Sequence, residues 1–203
     1  MFGDPVTNPM GWKVYKLGAL SSLITKGASP NWQGYGYTQD STQTLFVTSE
    51  NVREGYVELD PPKFIEDAFN KKQRRSMLQK GDFLINIVGA SIGRAAQYTL
   101  DDKANINQAI ALVRLISTDV NERYLLHYLN SPKALEMYAL MQVSVARANL
   151  SLENISDLEI VLPPLSPQNS FAEFAQQVDK SKFVMIKNLT RYNWKGILNL
   201  YVW

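Results

Sequence analysis

Apolar and polar positions alternate at strand spacing through the first half of the chain and at helix spacing only after residue 120. Trp12, Val14, Leu17, Leu20, Leu23 and Ile24 predict a strand followed by a turn of helix. Residues 45–48 and 56–59 predict two short strands around the turn at Glu54-Gly55. The run 83–88 predicts a buried strand, entered at Gly81-Asp82 and left at Gly89. Its expected partners are 95–99 and 106–115, separated by the turn Asp101-Asp102-Lys103. Beyond residue 120, Tyr124, Leu125, Tyr128 and Leu129 share one helical face. Ser131-Pro132 then supplies the cap and first residue of a second helix through Ala134, Leu135, Tyr138 and Met141. A single helical turn is expected at 151–155 and a strand at 158–162, stopped by Pro163-Pro164. Ser166-Pro167 repeats the cap-plus-proline signature and opens a long helix.

In that helix Phe171, Phe174, Val178, Met185, Leu189 and Tyr192 are spaced by three, four, seven, four and three residues, with a polar gap near Ser181 and Lys182. The spacing is that of a heptad seam. The helix has no base from 166 to 179 and no acid from 180 to 195. An antiparallel copy would therefore oppose unlike charges while the seams bury each other, and these six residues are the expected interface; the alternative is that the stripe packs on its own domain or on another subunit. Residues 27–37 break the pattern: three glycines, one proline, three aromatic rings and no charge predict a loop whose rings are available for contact.

Composition narrows the class. A content of 45% apolar and 20% charged residues over 203 positions suits a globular protein. No apolar stretch is long enough to span a bilayer, and residues 1–12 lack the basic and apolar regions of a signal peptide. The absence of cysteine excludes disulfides, thiolate metal sites and thiol nucleophiles, and suits a cytoplasmic protein. One histidine, His127, excludes a multi-histidine metal site. The net charge of +2 is too small to argue for nucleic acid by itself, but the charge is sorted. Six acids (Glu50, Glu54, Glu58, Asp60, Glu66 and Asp67) face only Arg53 and Lys63 between residues 50 and 67, whereas Lys71, Lys72, Arg74, Arg75 and Lys80 follow without an acid. Such a patch can bind phosphates or be plain solvated surface.

Two catalytic motifs have to be weighed. Gly89-Ala90-Ser91-Ile92-Gly93 matches a nucleophile elbow, with Asp101 or Asp102 and then His127 in the order of a hydrolase triad. An elbow needs a helix directly after the serine, and the chain offers only a short segment before the Asp-Asp turn. A magnesium-dependent nuclease could use Asp82, Asp101 and Lys103, because two carboxylates and a lysine can hold the ion and activate water. The same residues equally make a hairpin turn.

Seven segments in order carry a resemblance: Gly11-Trp12 with Lys16-Leu17-Gly18; Ile24-Thr25-Lys26-Gly27-Ala28-Ser29-Pro30; Phe46-Val47-Thr48-Ser49-Glu50-Asn51-Val52; Leu78-Gln79-Lys80-Gly81-Asp82-Phe83-Leu84; Gly89-Ala90-Ser91-Ile92-Gly93-Arg94; Ala104-Asn105-Ile106-Asn107-Gln108-Ala109; and Asn149-Leu150-Ser151 with Leu162-Pro163-Pro164-Leu165-Ser166-Pro167-Gln168. Together, over about residues 10 to 183, they resemble the specificity subunits of type I restriction-modification systems. The resemblance implies a mixed α/β fold: a twisted, mostly antiparallel sheet with flanking helices forming a target-recognition domain over 1–164, and a long protruding coiled-coil-type helix over 165–203. It turns the glycine-serine-glycine segment into a turn of that domain.

The implied role is non-catalytic. Such a subunit reads half of a split site in double-stranded DNA and holds the methyltransferase subunits, and through them the restriction subunit. S-adenosylmethionine, ATP and magnesium would belong to those partners, with no cofactor held by this chain. Relatives carry two recognition domains where this chain has one, and residues 192–203 are aromatic without heptad continuation. The resemblance therefore implies a half-subunit that dimerises through the C-terminal helix. Arginine reads guanine, amides read adenine, hydroxyls adapt, and lysines grip phosphate. On that chemistry the DNA-contact candidates are Lys26, Ser29, Trp32, Gln33, Arg53, Lys71, Lys72, Arg74, Arg75, Ser91, Arg94, Asn107, Arg147 and Asn149.

Overall fold

The computed structural model describes residues 8–116, 118–142 and 149–198, with side chains described as far as residue 181. In chain order its elements are β1 (Lys13–Lys16), β2 (Ser21–Lys26), β3 (Tyr37–Thr38), β4 (Thr44–Val47), β5 (Phe64–Ile65), α1 (Asp67–Lys72), β6 (Phe83–Asn86), β7 (Ala95–Gln97), β8 (Ala104–Ile106), β9 (Ile110–Leu115), α2 (Glu122–Leu129), α3 (Pro132–Gln142), α4 (Leu152–Ser156), β10 (Glu159–Leu162) and α5 (Leu165–Leu198). Short 3-10 turns occupy Leu17–Leu20, Asn31–Gln33 and Arg74–Ser76.

The mixed α/β expectation holds, but the single sheet does not. Among the described residues there are three: a pair β1-β10, a four-stranded sheet β2-β9-β6-β7, and a second four-stranded sheet β3-β5-β4-β8. All pairings are antiparallel except β4 with β8. The layers follow from the strand period of two. From β6, Phe83 and Ile85 face one core with Tyr124, Leu125, Leu129, Tyr138 and Ile155 of the helices. Leu84, between them, faces the opposite way, into a core with Leu45, Val47, Ala104 and Ile106 of the second sheet. Burial on both faces is why this strand is a nearly continuous apolar run. The outer face of the second sheet is closed by Phe46, Ile65 and Phe69 of α1, with Ala28 and Tyr35 of the aromatic loop against them.

Three further expectations change. Helix is not confined to the region beyond residue 120, because α1 lies at 67–72. Its six residues are shorter than two turns, too few to register as a period. Residues 56–59 form no strand: Val57 bridges only Val52, and the place beside β4 is taken by β5. The stretch 106–115 is two strands in two different sheets, broken at Asn107-Gln108-Ala109. Elsewhere local chemistry is as read. Ser151 and Asn154 form a reciprocal capping box at α4, and β10 stops at Pro163-Pro164.

Candidate nucleic-acid interface

The topology gathers one set of strand ends. Lys26 stands opposite Ala111, Asn86 opposite Ile110, and Val47 opposite Ile106. The amide of Asn107 donates to Val47 O at 3.1 Å, and that of Ile87 to Ala109 O at 2.9 Å. The C-terminal ends of β2, β4, β6 and β8 and the start of β9 therefore meet at one edge of the two sheets. The loops leaving them share that edge.

Gly27 begins the aromatic loop, pressed so closely onto β8 that a Cβ there would overlap the carbonyls of Ile106 and Asn107. Only glycine permits that approach. Further on, Gln33 Oε1 accepts from Gln73 Nε2 at 2.9 Å, and Tyr35 packs edge-on against Phe69 at 5.7 Å between centroids. Lys72 Nζ stands 5.5 Å over the Tyr35 ring. The loop and the basic run 71–75 are thus one surface, as the sequence could not tell. The run itself is the end of α1 plus a 3-10 turn, and Lys71, Lys72, Arg74 and Arg75 are exposed along it.

The 89–93 turn stands at the same edge. Gly89 and Gly93 have φ of +84° and +85°, and a Cβ at Gly93 would strike the Tyr138 ring. The glycines answer to the turn and to that ring, not to a nucleophile. Asn86, wholly buried, donates through Nδ2 to Ser49 O and to Ser91 Oγ, both at 2.9 Å. A backbone carbonyl can only accept, so Ser49 fixes which way the amide faces. Ser91 Oγ must then accept, which leaves its own hydroxyl proton uncommitted to this bond. Asn149, exposed, bridges Val88 beside this turn, and Arg94 follows it half-buried.

Charge is sorted by partner. Arg53 Nε is held by Glu58 at 2.6 Å, so the free fork expected for guanine is partly occupied. Lys63 holds Glu50 at 2.8 Å and keeps that carboxyl below its usual range. Lys103 does the same to Asp67, with help from Thr44. By contrast Lys26, Lys71, Lys72, Arg74, Arg75 and Arg94 form no salt bridge among the described residues. Lys13 and Lys180 share that state elsewhere on the chain. Three of the six acids of the acidic stretch, Glu50, Glu58 and Asp67, are neutralised locally, whereas the basic run keeps all four of its charges free of acid partners among the described residues.

Some expected residues do other work or lie elsewhere. Asn107 Oδ1 accepts from Ala109 N at 3.2 Å and so closes its own turn. Ser29 is half-buried at the start of the loop, and Trp32 is exposed at its tip. Arg147 lies outside the described residues, as do the side chains of Met185, Leu189 and Tyr192. Phe171, expected in the free seam, instead packs edge-on against Tyr124 and His127 at 5.8 and 5.4 Å, while Phe174 is exposed and Val178 half-buried. Asn105, which with Asn107 and Gln108 reads from the sequence either as a DNA contact or as an amide closing backbone hydrogen bonds, does internal work: it ties α1 to β8 by bonding Asn70 Oδ1 at 2.7 Å, Gln73 O at 3.0 Å and the Ser76 hydroxyl at 2.7 Å. Sequence reasoning missed one buried amide, Asn86, which orients the turn. An amide inside an apolar strand run was the available signal.

Neither catalytic motif assembles. Asp82 is buried in a two-pronged pair with Arg114 at 2.8 and 2.7 Å, Asp101 pairs with Lys80, and Lys103 with Asp67. The described residues contain no cluster able to hold a metal ion. His127 lines a cleft with Glu54, Arg123 and Asp179 whose walls do not include Ser91.

Comparison with known proteins bears on the family and the fold. The family described as "type I restriction modification DNA specificity domain" matches residues 9–191. The EcoBI specificity subunit of the type I restriction enzyme of Escherichia coli is 27% identical over 128 residues, which cover 63% of this chain and 27% of that protein. Among solved structures, a chain of a type I R-M system complex superposes with a TM-score of 0.67 at 19% identity, covering 95% of this chain and 44% of that one. The HsdS subunit of Thermoanaerobacter tengcongensis gives 0.57 at 19%, covering 89% and 40%. The S subunit of a type I system from M. genitalium gives 0.55 at 15%, covering 90% and 43%. At these identities the structures speak for the fold alone. The chain spans less than half the length of each of these relatives. With the family match running through nearly all of it, the chain belongs to the family of type I restriction modification DNA specificity domains.

Proposed function

We propose that this chain reads a half-site in double-stranded DNA through the edge where β2, β4, β6 and β8 end, and performs no chemistry of its own. One observation carries the reading: Lys26 and the 89–93 turn stand at that edge, and the aromatic loop that leaves it lies against the basic run 71–75, whose cations have no acid partner among the described residues. Residues 1–164 would be the recognition domain and 165–203 the docking helix for methyltransferase subunits, with a restriction subunit reached through them. S-adenosylmethionine, ATP and magnesium would then reside in those partners. A cytoplasmic setting would follow from that role. No described helix is long and apolar enough to cross a membrane.

The test is methylation mapping by long-read sequencing in cells expressing this chain with a methyltransferase subunit. The expected result is one methylated motif. Ser91→Ala should relax that motif at a single position by about fivefold, since one hydroxyl hydrogen bond contributes about 1 kcal/mol. A hydroxyl proton that Asn86 leaves uncommitted would suit acceptor edges such as guanine O6 or thymine O4. A uniform fall in methylation across the motif would refute this role for Ser91, and no motif in the wild type would refute the proposal.

The same reading includes a two-fold homodimer through α5, presenting two copies of the edge to inverted half-sites. The exposed Phe174 supports it. Light scattering over a concentration series should show a dimer that Phe174→Asp converts to monomer, and a wild-type monomer at all concentrations would refute it.

A further inference from the structure

Trp32 is 92% exposed, the highest exposure among the large hydrophobic side chains described. Single exposed apolar residues are ordinary, so exposure alone says little. What distinguishes this one is the rigidity of its support. Pro30 is buried, and its carbonyl accepts from the amides of Gln33 at 2.8 Å and Tyr35 at 3.2 Å. Gly34, with φ of +80°, closes the 3-10 turn in the left-handed conformation that glycine permits. Gln33 is tied to Gln73, the Gly36 amide donates to Glu66 Oε1 at 3.0 Å, and Tyr35 is packed on Phe69 beneath Lys72. Pro30, Gln33 and Tyr35 tie the loop to the protein on both sides of Trp32, while the indole is exposed. A floppy loop would bury an indole against its own surface. This one holds the ring exposed, on a loop that lies against the basic run of Lys71, Lys72, Arg74 and Arg75.

We infer that Trp32 is a preorganised aromatic wedge that packs into a base step of the bound duplex. The inference rests on the DNA-reading proposal and adds a mode of recognition to it. Base faces are hidden inside a stacked duplex, so an indole reaches them only where a step opens. Contact of this kind reads deformability, favouring flexible pyrimidine-purine steps, without any hydrogen bond. The surrounding cations suit a polyanion and are poorly suited to a neutral protein surface. Because the ring is already placed, little ordering entropy is given up on contact.

The test uses the full chain and mixed-sequence duplexes of about thirty base pairs, intact or carrying one central mismatch that lowers the unstacking penalty. Wild type should bind the mismatched duplex more tightly than the intact one. Trp32→Ala should bind both about ten- to a hundredfold more weakly, erase the preference for the mismatch, and leave the salt slope unchanged, because every phosphate is still gripped as before. Trp32→Phe should restore most of the affinity. A lowered salt slope in Trp32→Ala would show that the ring only organises the basic surface, and unchanged binding would show that it makes no DNA contact; either overturns the inference. If Trp32→Ala instead abolishes co-purification with a methyltransferase subunit while DNA binding persists, the ring faces protein and the inference is also wrong. A wild type that binds no duplex at all, alone or with methyltransferase subunits, would fail the DNA-reading proposal itself.

Discussion

Alanine at Asp82 lowers the melting temperature by roughly 6 to 12 °C. Asp82 is 1% exposed and takes three hydrogen bonds: two from Arg114, at 2.8 and 2.7 Å, and one from the Gln79 amide at 2.7 Å. The carboxylate holds the Arg114 guanidinium firmly in its charged form. Removing one partner of a buried pair leaves the other desolvated and uncompensated, which costs about 3 to 5 kcal/mol. The lower end applies because Arg114 is 26% exposed and recovers some hydration. The double variant Asp82→Leu with Arg114→Met should regain much of the loss, since a matched apolar pair leaves no stranded charge. Thermal unfolding of wild type and both variants decides the matter. A shift below about 2 °C for Asp82→Ala would show that the pair contributes little.

Replacing Lys71, Lys72, Arg74 and Arg75 together with alanine weakens binding to duplex DNA of any sequence and lowers the salt slope by about 0.9 for each phosphate that is no longer neutralised. If all four grip phosphate, affinity should fall by several orders of magnitude at low salt. All four side chains are exposed, and none is held by an acid among the described residues, so their field reaches solvent unopposed. Bonds to phosphate position a protein without choosing a sequence. The methylated motif should therefore keep its identity while its occupancy falls. Titrations over a series of salt concentrations test the slope, and a variant with wild-type salt dependence would remove this run from the interface.

The nuclease reading shows how spacing misleads. Asp82, Asp101 and Lys103 stand at intervals that suit a magnesium site, yet each is committed to a different partner at a different place. Arg53 shows a similar limit. As a lone arginine in a turn it is a candidate for guanine, but Glu58, five residues on, reaches back to hold Nε. Pairing of this sort depends on rotamers and on the fold of a turn, and a linear pattern carries neither. For the same reason Asn86 looks like one more strand residue in the sequence, although it sets the orientation of Ser91.

The amino-acid sequence by itself determined those local elements whose signals lie within a few residues, and pointed to the family. The run 83–88, the caps at Ser131 and Ser151, and the stop at Pro163-Pro164 each follow from side-chain chemistry acting within a few residues. The ordered segments from Gly11 to Gln168 were enough to point to the family. Only the tertiary structure decided which strands share a sheet, because pairing depends on which face of each strand is buried. The break at Asn107-Gln108-Ala109 that sends β8 and β9 to different sheets is itself a consequence of that long-range choice. It likewise decided that the aromatic loop and the basic run form one surface, since Gln33 and Gln73 lie 40 residues apart and meet only when both cover the outer face of the second sheet. Local propensity acts along the chain, and the recognition edge exists only across it.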